Sequence, residues 1–509
     1  MFPQPEAFID ALALVFSFQT LLWTMIGVTI GVGIGAIPGL SASSGVALML
    51  PLSFQLGIAP ALGLLIGIYK GAEFGGSIAA ISFATPGTPA AAATVYDGYK
   101  LTERGKGRKA VLTALYASVT GDTLGSLLTI FVAPALVLVA LKFGPSERFW
   151  LVVLALTLLA SLGGRHFAKG MLAAAIGLFL ATIGTDPISA SPRMTFGLFW
   201  LEDGIYLPSL MIGLFAVSRM IEDAVDLLKE RAKSMAQTVD VEAFSKGFDK
   251  NDGLTFREFL TCKKEVFLGF CIGSFVGMMP GLGGTAAAFI SYGVAKQASP
   301  EKKIGTGVIE GVAAAEAGNS ATVGPALVPL LAFGIPGSIT AALIGGALTY
   351  HGAIPSPRMF ELFPHVVYSL FLILIFANFI NLGIGRLFAF VYVRLAQVPK
   401  PMLIPAIIMI AIVGTYSIRG NIYDVGIMLF FGVVGFVLRR LGIPDAPLII
   451  TFLISPLAES SLRRALLITD YNWMEALFDS GLSIGLFIAT IVFSFVFVRM
   501  RKRENFSAD

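Results

Sequence analysis

Long apolar runs separated by short polar stretches occupy almost the whole chain. In the first half they lie near residues 11–40, 43–69, 74–83, 110–141, 149–162, 168–184 and 205–220. In the second half they lie near residues 266–295, 304–333, 336–350, 366–395, 402–415, 425–437, 447–457 and 480–498. Because about 20 apolar residues cross a bilayer as a helix, this pattern predicts an all-α polytopic membrane protein with roughly 10–14 transmembrane or re-entrant helices.

Polar residues concentrate in one long stretch near the middle of the chain, residues 226–264, where basic and acidic side chains are mixed. Such a mixture is typical of a solvated linker, and we expect it on the cytoplasmic side. The predicted organisation is therefore a first membrane repeat (1–225), a charged linker (226–264) and a second membrane repeat with a basic cytoplasmic tail (265–509).

Composition agrees with a membrane location. Hydrophobic residues make up 56% of the 509 residues and charged residues 13%, whereas an average soluble domain has roughly 25% charged residues. The excess of 36 Lys and Arg over 32 Asp and Glu fits the positive-inside bias of membrane proteins. We therefore expect lipid and membrane or periplasmic proteins as partners, and no nucleic acid.

The two halves share sequence echoes in the same order. The hexapeptide GAIPGL at Gly35 recurs as GMMPGL at Gly277, and the Pro-Gly pair at Pro86 recurs at Pro336. Residues 184–187 recur more loosely as 442–447. Three echoes in order predict an internal duplication, which is the usual plan of secondary transporters.

Each Pro-Gly pair lies inside an apolar run and is followed by small or hydroxylated residues. Proline removes a backbone donor, so the helix breaks there, and a break in a membrane is tolerated beside a cavity or within protein. Two broken helices whose N-termini meet at one point would bind carboxylates through free N–H groups. The alternative is that the pairs merely kink their helices. The predicted substrate-binding residues are Pro38, Gly39, Ser41, Ser43, Ser44, Thr85, Pro86, Gly87, Thr88, Pro280, Gly281, Gly283, Gly284, Thr285, Pro336, Gly337 and Ser338.

A few ionisable residues lie within the apolar runs, where they are costly unless paired or functional. On a helix, Glu316, Asn319 and Ser320 share a face that would ligate sodium or substrate, or relay a proton. Alternatively, this face makes only hydrogen bonds to neighbouring helices. Lys70 and Glu73, three residues apart, would alternatively form an ion pair with each other. The ion-coupling candidates are Glu316, Asn319, Ser320, Glu310, Lys70 and Glu73, with a sodium ion expected near Asn319.

The sequence contains no ATP-binding loop of the GxxxxGK[ST] type and no catalytic motif such as HExxH. We therefore predict a carrier driven by an ion gradient, not an enzyme, with no cofactor beyond a coupling Na⁺ or H⁺. A passive anion channel is the alternative from another class, because Gly, Ser and Thr also line pores.

Five sequence blocks resemble the large membrane subunit, TctA, of the tripartite tricarboxylate transporters. They are GAIPGLSASSGVALMLPLSF from Gly35, ATPGTPAAAATVYDGY from Ala84, GMMPGLGGTAAAF from Gly277, EGVAAAEAGNSA from Glu310 and FGIPGSITAALIGGAL from Phe333.

This resemblance implies a multi-pass protein of the bacterial inner membrane with two inverted repeats. It implies import of di- or tricarboxylates by cation symport, together with a small four-helix TctB-like membrane subunit and a periplasmic TctC-like binding protein. The related alternative is a carboxylate carrier of the TRAP type, which has the same three-component organisation.

Overall fold

The computed structural model describes residues 5–37, 40–162, 167–186, 189–233, 253–395 and 400–506. In its first half the helices, in chain order, are α1 (Pro5–Val15), α2 (Phe18–Ala36), α3 (Ala42–Ser53), α4 (Ile58–Phe83), α5 (Ala92–Glu103), α6 (Gly107–Ala140), α7 (Pro145–Leu162), α8 (Phe167–Ala181), α9 (Leu207–Ile212) and α10 (Ser218–Lys233). A π-helical turn, Gly213–Val217, joins α9 to α10, and a two-residue ladder pairs β1 (Gly184–Thr185) antiparallel with β2 (Pro192–Arg193).

The second half is also built mainly of helices. Its helices are α11 (Phe256–Leu260), α12 (Lys263–Gly277), α13 (Gly283–Ala298), α14 (Ile309–Ser320), α15 (Val328–Phe333), α16 (Ile339–Tyr350), α17 (Met359–Leu362), α18 (Pro364–Leu395), α19 (Lys400–Arg419), α20 (Ile422–Arg440), α21 (Asp445–Ile468), α22 (Trp473–Phe478) and α23 (Gly481–Phe506). Single 3₁₀ turns lie at Phe199–Leu201, Pro300–Lys302 and Pro325–Leu327.

Six helices of the described ranges are long and apolar enough to cross a membrane. They are Phe18–Ala36, Ile58–Phe83, Gly107–Ala140, Pro364–Ala389, Ile422–Arg440 and Asp445–Ile468. Shorter apolar helices accompany them at Ala42–Ser53, Ala168–Ala181, Ile339–Tyr350, Ile404–Arg419 and Gly481–Phe495. The prediction of an all-α polytopic membrane protein is confirmed.

One predicted boundary differs from the structure. The apolar runs at 43–69 and 74–83 were separated by Lys70 and Glu73, yet α4 continues through both charges from Ile58 to Phe83. The true break lies earlier, in the turn between α3 and α4. The helix continues because both charged side chains find polar partners inside the protein, so neither needs water.

Glycines spaced four residues apart bring helix backbones together in both halves. A Cβ at Gly31 of α2 would overlap the Ile68 carbonyl oxygen of α4, and a Cβ at Gly273 of α12 would overlap the Gly318 oxygen of α14. Small residues allow this close approach in membrane helices. The same contact recurs one turn to either side, at Gly27 and Gly35 in the first half and at Gly269 and Gly277 in the second.

Long helices of each half pack against helices of the other half. The long helix α6 of the first half packs along α14 of the second, where a Cβ at Gly121 would lie 2.6 Å from the Ala317 carbonyl oxygen. Reciprocally, α18 of the second half packs on α4 of the first. This mutual crossing places the polar faces of four helices (α4, α6, α14 and α18) against one another in the interior.

The charged linker is described at its two ends. It begins on α10 and continues through α11 to the start of α12. At α11, Thr255 and Glu258 form a reciprocal capping box, and Lys109 of α6 donates to Glu258 at 2.7 Å. Residues 234–252 lie outside the described ranges. The predicted domain boundaries therefore stay predictions.

Candidate functional site

The four helix breaks meet around one cavity of about 840 Å³. Its wall includes residues of both predicted repeats, and most of the predicted substrate-binding residues lie on it. These are Ser41, Ser43, Ser44, Thr85, Pro86, Gly87, Thr88, Gly281, Gly283, Gly284, Thr285 and Ser338. Among the other predicted residues, Pro280, Pro336 and Gly337 stand beside the wall residues in the same turns, and Pro38 and Gly39 lie outside the described residues.

The first break ends α2 and begins α3. Ser41 is the N-cap of α3, and its hydroxyl accepts a hydrogen bond of 3.3 Å from the Ser44 amide. The same hydroxyl lies 2.8 Å from the Ser43 hydroxyl and 3.1 Å from that of Ser44. A serine N-cap satisfies one of the unpaired amides of a helix start, so this short serine run both begins the helix and presents hydroxyl groups to the cavity.

The second and fourth breaks are built alike. The Gly87 amide donates to the Gly76 carbonyl at 3.2 Å, and the Gly337 amide donates to the Ala326 carbonyl at 3.0 Å. A Cβ at Gly87 would overlap the Gly35 carbonyl oxygen, and one at Gly337 would lie 2.6 Å from the Gly277 oxygen. Glycine is required at both turns because no side chain fits. The two turns therefore share the same pattern of backbone contact.

The third break lies between α12 and α13. Gly281 (φ 90°) and Gly283 (φ 61°) adopt left-handed backbone conformations, which glycine takes without steric cost. The Gly281 amide also donates to the Gly337 carbonyl at 2.9 Å, which ties the third break to the fourth. Gly284 follows on α13, where a Cβ would overlap the Asn319 side-chain oxygen.

Three helices begin at the cavity wall: α3 with its N-cap at Ser41, α13 at Gly283 and α16 with its N-cap at Ser338. The first amides of a helix have no partner within it, and the helix dipole adds roughly half a positive charge at that end. An anion in the cavity would therefore meet donors from three directions. This arrangement brings together the helix ends that the sequence echoes singled out.

Glu73 is the candidate carboxylate that reaches the cavity wall. The Asn319 side-chain amide donates to Glu73 Oε2 at 2.9 Å, while Asn319 Oδ1 is buried and has no hydrogen-bond partner in the described structure. The interpretation of Lys70 and Glu73 as an ion pair is wrong. Lys70 instead pairs with Asp122 of α6 at 2.6 Å, because α6 packs directly against α4 within the first half.

Glu316 is buried and is not among the residues that line the cavity. Thr94 of α5 donates a hydrogen bond to one of its oxygens, and Ser118 of α6 donates to the other at 3.1 Å. Ser320 is buried on the same helix. Glu310 lies away from this group, with Lys302 3.8 Å from its carboxylate. Of the predicted coupling residues, Glu73, Glu316 and Asn319 thus form the interior group, and Glu310 does not belong to it.

Charged residues that sequence reasoning missed form one part of the wall. Arg439 donates to Asp445 at 2.8 Å and to the Leu214 carbonyl at 3.1 Å, and Arg219 donates to Glu222 at 2.9 Å. They lie at the ends of apolar runs, where charges usually mark the membrane boundary. The loose third echo contains Asp445, and it was the sequence feature that pointed to this part of the wall.

Tyr69 also lines the cavity and was not predicted. Its hydroxyl lies 3.3 Å from that of Ser338, which joins α4 of the first half to the start of α16 in the second. Within the described residues, no group of three or more His, Cys, Asp and Glu side chains is placed to hold a metal ion. A coupling cation would therefore need amide, hydroxyl or backbone oxygens in addition to carboxylates.

Comparison with known proteins assigns the chain to a family. Residues 21–450 match the description "Tripartite tricarboxylate transporter TctA family". An uncharacterised 52.8 kDa protein in the TAR-I ttuC' 3' region of Agrobacterium vitis is 33% identical over 450 residues, which cover 88% of this chain and 87% of that protein. A protein in the TAR-II ttuC' 3' region of the same organism is 36% identical over 198 residues, 39% of this chain and 82% of that protein. The chain, a multi-pass membrane protein with a transport role, therefore belongs to the tripartite tricarboxylate transporter TctA family.

Proposed function

We propose that this chain is the large permease subunit of a secondary transporter that imports small di- or tricarboxylates across a bacterial inner membrane. In this proposal a periplasmic TctC-like protein delivers the substrate, a small four-helix TctB-like subunit completes the membrane complex, and Na⁺ or H⁺ drives uptake. The observation that carries the proposal is the convergence of three helix N-termini and two arginines on one cavity.

The donors of the cavity suit a small anion with several carboxylates. Helix starts bind anions without a fixed countercharge, and arginine pairs with carboxylates through a planar fork of donors. Arg219 and Arg439 both line the cavity. Both arginines already share acidic partners, which keeps the positive potential moderate and favours release of the substrate as well as binding.

The matched helix breaks of the two predicted repeats support a mechanism of alternating access. The cavity lies between matched breaks of the two predicted repeats, and transporters with inverted repeats rock one repeat against the other around such a site. The Tyr69–Ser338 contact joins a helix of one predicted repeat to a helix of the other. We propose that this contact forms and breaks as the cavity changes sides.

Coupling is proposed at Glu73, Asn319 and Glu316. Glu73 reaches the cavity, and Asn319 offers an unused buried oxygen beside it. A cation held at that oxygen by Glu73 would neutralise the carboxylate when substrate is bound, and a proton on Glu73 would have the same effect. Occupation of the site by substrate and cation together would thus place less negative charge in the interior than occupation by substrate alone.

The proposal is tested by uptake of a panel of labelled carboxylates into proteoliposomes that hold this subunit and its small membrane partner. The binding protein and a sodium or proton gradient are each supplied and withheld. Saturable uptake that requires both supports the proposal and identifies the substrate. Non-saturable flux without a gradient would identify a passive anion channel instead.

A further inference from the structure

The Lys70 ammonium is enclosed in the interior by three oxygen atoms. Its Nζ lies 2.6 Å from Asp122 Oδ2, 3.0 Å from Asn378 Oδ1 and 3.4 Å from Ser126 Oγ. The Lys70 side chain has no exposed surface, and its three partners are buried as well. These oxygens come from α6 and α18, so the ammonium is held where the two halves cross.

The partners are themselves oriented to present oxygen towards the ammonium. The Asn378 side-chain amide donates to Thr123 Oγ1 at 3.0 Å, which directs its oxygen to Lys70. The Ser126 hydroxyl donates to Asp122 Oδ1 at 3.0 Å, which leaves its lone pairs for Lys70. An ammonium has three donors and accepts nothing, and each donor here has one acceptor.

A carboxylate, an amide oxygen and a hydroxyl, arranged around one positive charge, are also the ligands that hard metal cations take. We propose that the Lys70 ammonium is a built-in cation that occupies a sodium-type site formed by Asp122, Ser126 and Asn378, so that this site needs no free sodium ion. The inference does not rest on the proposed transport function, because it concerns cation binding by the purified chain.

An ordinary structural ion pair and a cation site differ in how the protein responds to sodium once the lysine is removed. Removal of one partner of a buried pair leaves an uncompensated charge and is strongly destabilising. At a structural pair, sodium has no specific effect on that loss. At a cation site, a sodium ion replaces the missing ammonium, so stability returns in sodium and not in the salt of a large organic cation.

The experiment measures the thermal unfolding midpoint of the purified full chain in detergent, in sodium chloride and in choline chloride. We expect Lys70→Ala to have a midpoint higher in sodium than in choline by at least about 2 °C more than the wild-type difference. Lys70→Ser, which adds a hydroxyl oxygen to the same space, should respond at least as strongly. Potassium chloride serves as the control for ionic strength and ion size.

Two control variants make the result specific. Lys70→Met fills the space with an apolar chain, and Lys70→Ala combined with Asp122→Asn removes the anionic ligand, so neither should show a sodium response above that of the wild type. A sodium difference in Lys70→Ala and Lys70→Ser no larger than in the wild type would overturn the inference. Failure to recover either variant in sodium would overturn it too, since sodium is expected to restore the balance of charge.

Discussion

Asn319 donates a hydrogen bond of 2.9 Å to Glu73, which joins a helix of the second half to a helix of the first at the wall of the cavity. Glu73 is one turn from Lys70 on α4, yet the two side chains have separate partners: Glu73 contacts the cavity and Asn319, and Lys70 contacts Asp122. The interior therefore contains two polar groups with separate partners along one helix.

The Glu73 carboxylate should be essential for gradient-driven uptake. Glu73→Gln keeps the size of the side chain and removes its negative charge, so the countercharge for a coupling cation is lost. We expect the initial rate of uptake in proteoliposomes to fall at least about tenfold, equivalent to about 1.4 kcal/mol, with little change in protein yield. Glu310→Gln is the matched control, because Glu310 lies away from the cavity. Equal rates for Glu73→Gln and wild type would remove Glu73 from the coupling site.

The two arginines of the wall should set substrate affinity. Loss of one charged hydrogen bond costs about 1.5–3 kcal/mol, so Arg219→Gln should raise the KM for the carboxylate about tenfold or more. Arg439→Gln should do the same, with some added loss of stability, because Arg439 also holds Asp445 and the Leu214 carbonyl. Arg386→Gln is the control, since Arg386 contacts the Tyr116 hydroxyl at an exposed position. An unchanged KM in both variants would place substrate recognition elsewhere.

The Pro-Gly turns should not tolerate a methyl group. Gly87→Ala and Gly337→Ala each place a Cβ against a backbone carbonyl of the neighbouring break, and overpacking of this kind costs about 1–3 kcal/mol. We expect lower thermal unfolding midpoints for both, with the larger loss at Gly87, where the overlap is greater. Gly33→Ala and Gly293→Ala are controls in the helices, where a Cβ meets open space. A midpoint for Gly87→Ala equal to that of Gly33→Ala would contradict the close packing.

Thr94 and Glu316 should be energetically coupled. Thr94→Val deletes a hydroxyl that donates to the buried carboxylate, and we expect it to lower stability by about 1.5–3 kcal/mol, the range for a hydrogen bond to a charged group. In combination with Glu316→Gln the two losses should be smaller than their sum, as residues in contact are non-additive. Thr113→Val is the control, because the Thr113 hydroxyl bonds within its own helix. Additive losses in the double variant would show that the two groups act independently.

Local chemistry made the helix breaks predictable. A Pro-Gly pair removes a backbone donor and loosens the chain at the same point, and α2, α4, α12 and α15 end beside the turns that the sequence predicted. The glycines that pack α2 on α4, and α12 on α14, repeat the same spacing in both halves. These features depend on neighbouring residues along the chain, and the echoes between the halves were therefore sufficient to find them.

Partners across the interior were not predictable in the same way. Lys70 and Glu73 lie three residues apart on a helix, which favoured an ion pair between them, and the structure gives each a different partner. Arg219 and Arg439 end apolar runs, where charges usually lie at the membrane surface, yet both reach the cavity. In each case the partner is distant in sequence, so its position depends on how complete helices cross.

The sequence by itself determined the membrane class, the family resemblance and the positions of the helix breaks, because apolar length and Pro-Gly chemistry act locally. The tertiary structure decided that the breaks surround one cavity, that Glu73 reaches it while Glu316 lies behind it, and that Lys70 is held by α6 and α18. The physical reason is that α6 packs on α4 and α14, and α18 packs on α4 and α6. A buried charge takes the oxygen partners that this helix packing brings within hydrogen-bond distance.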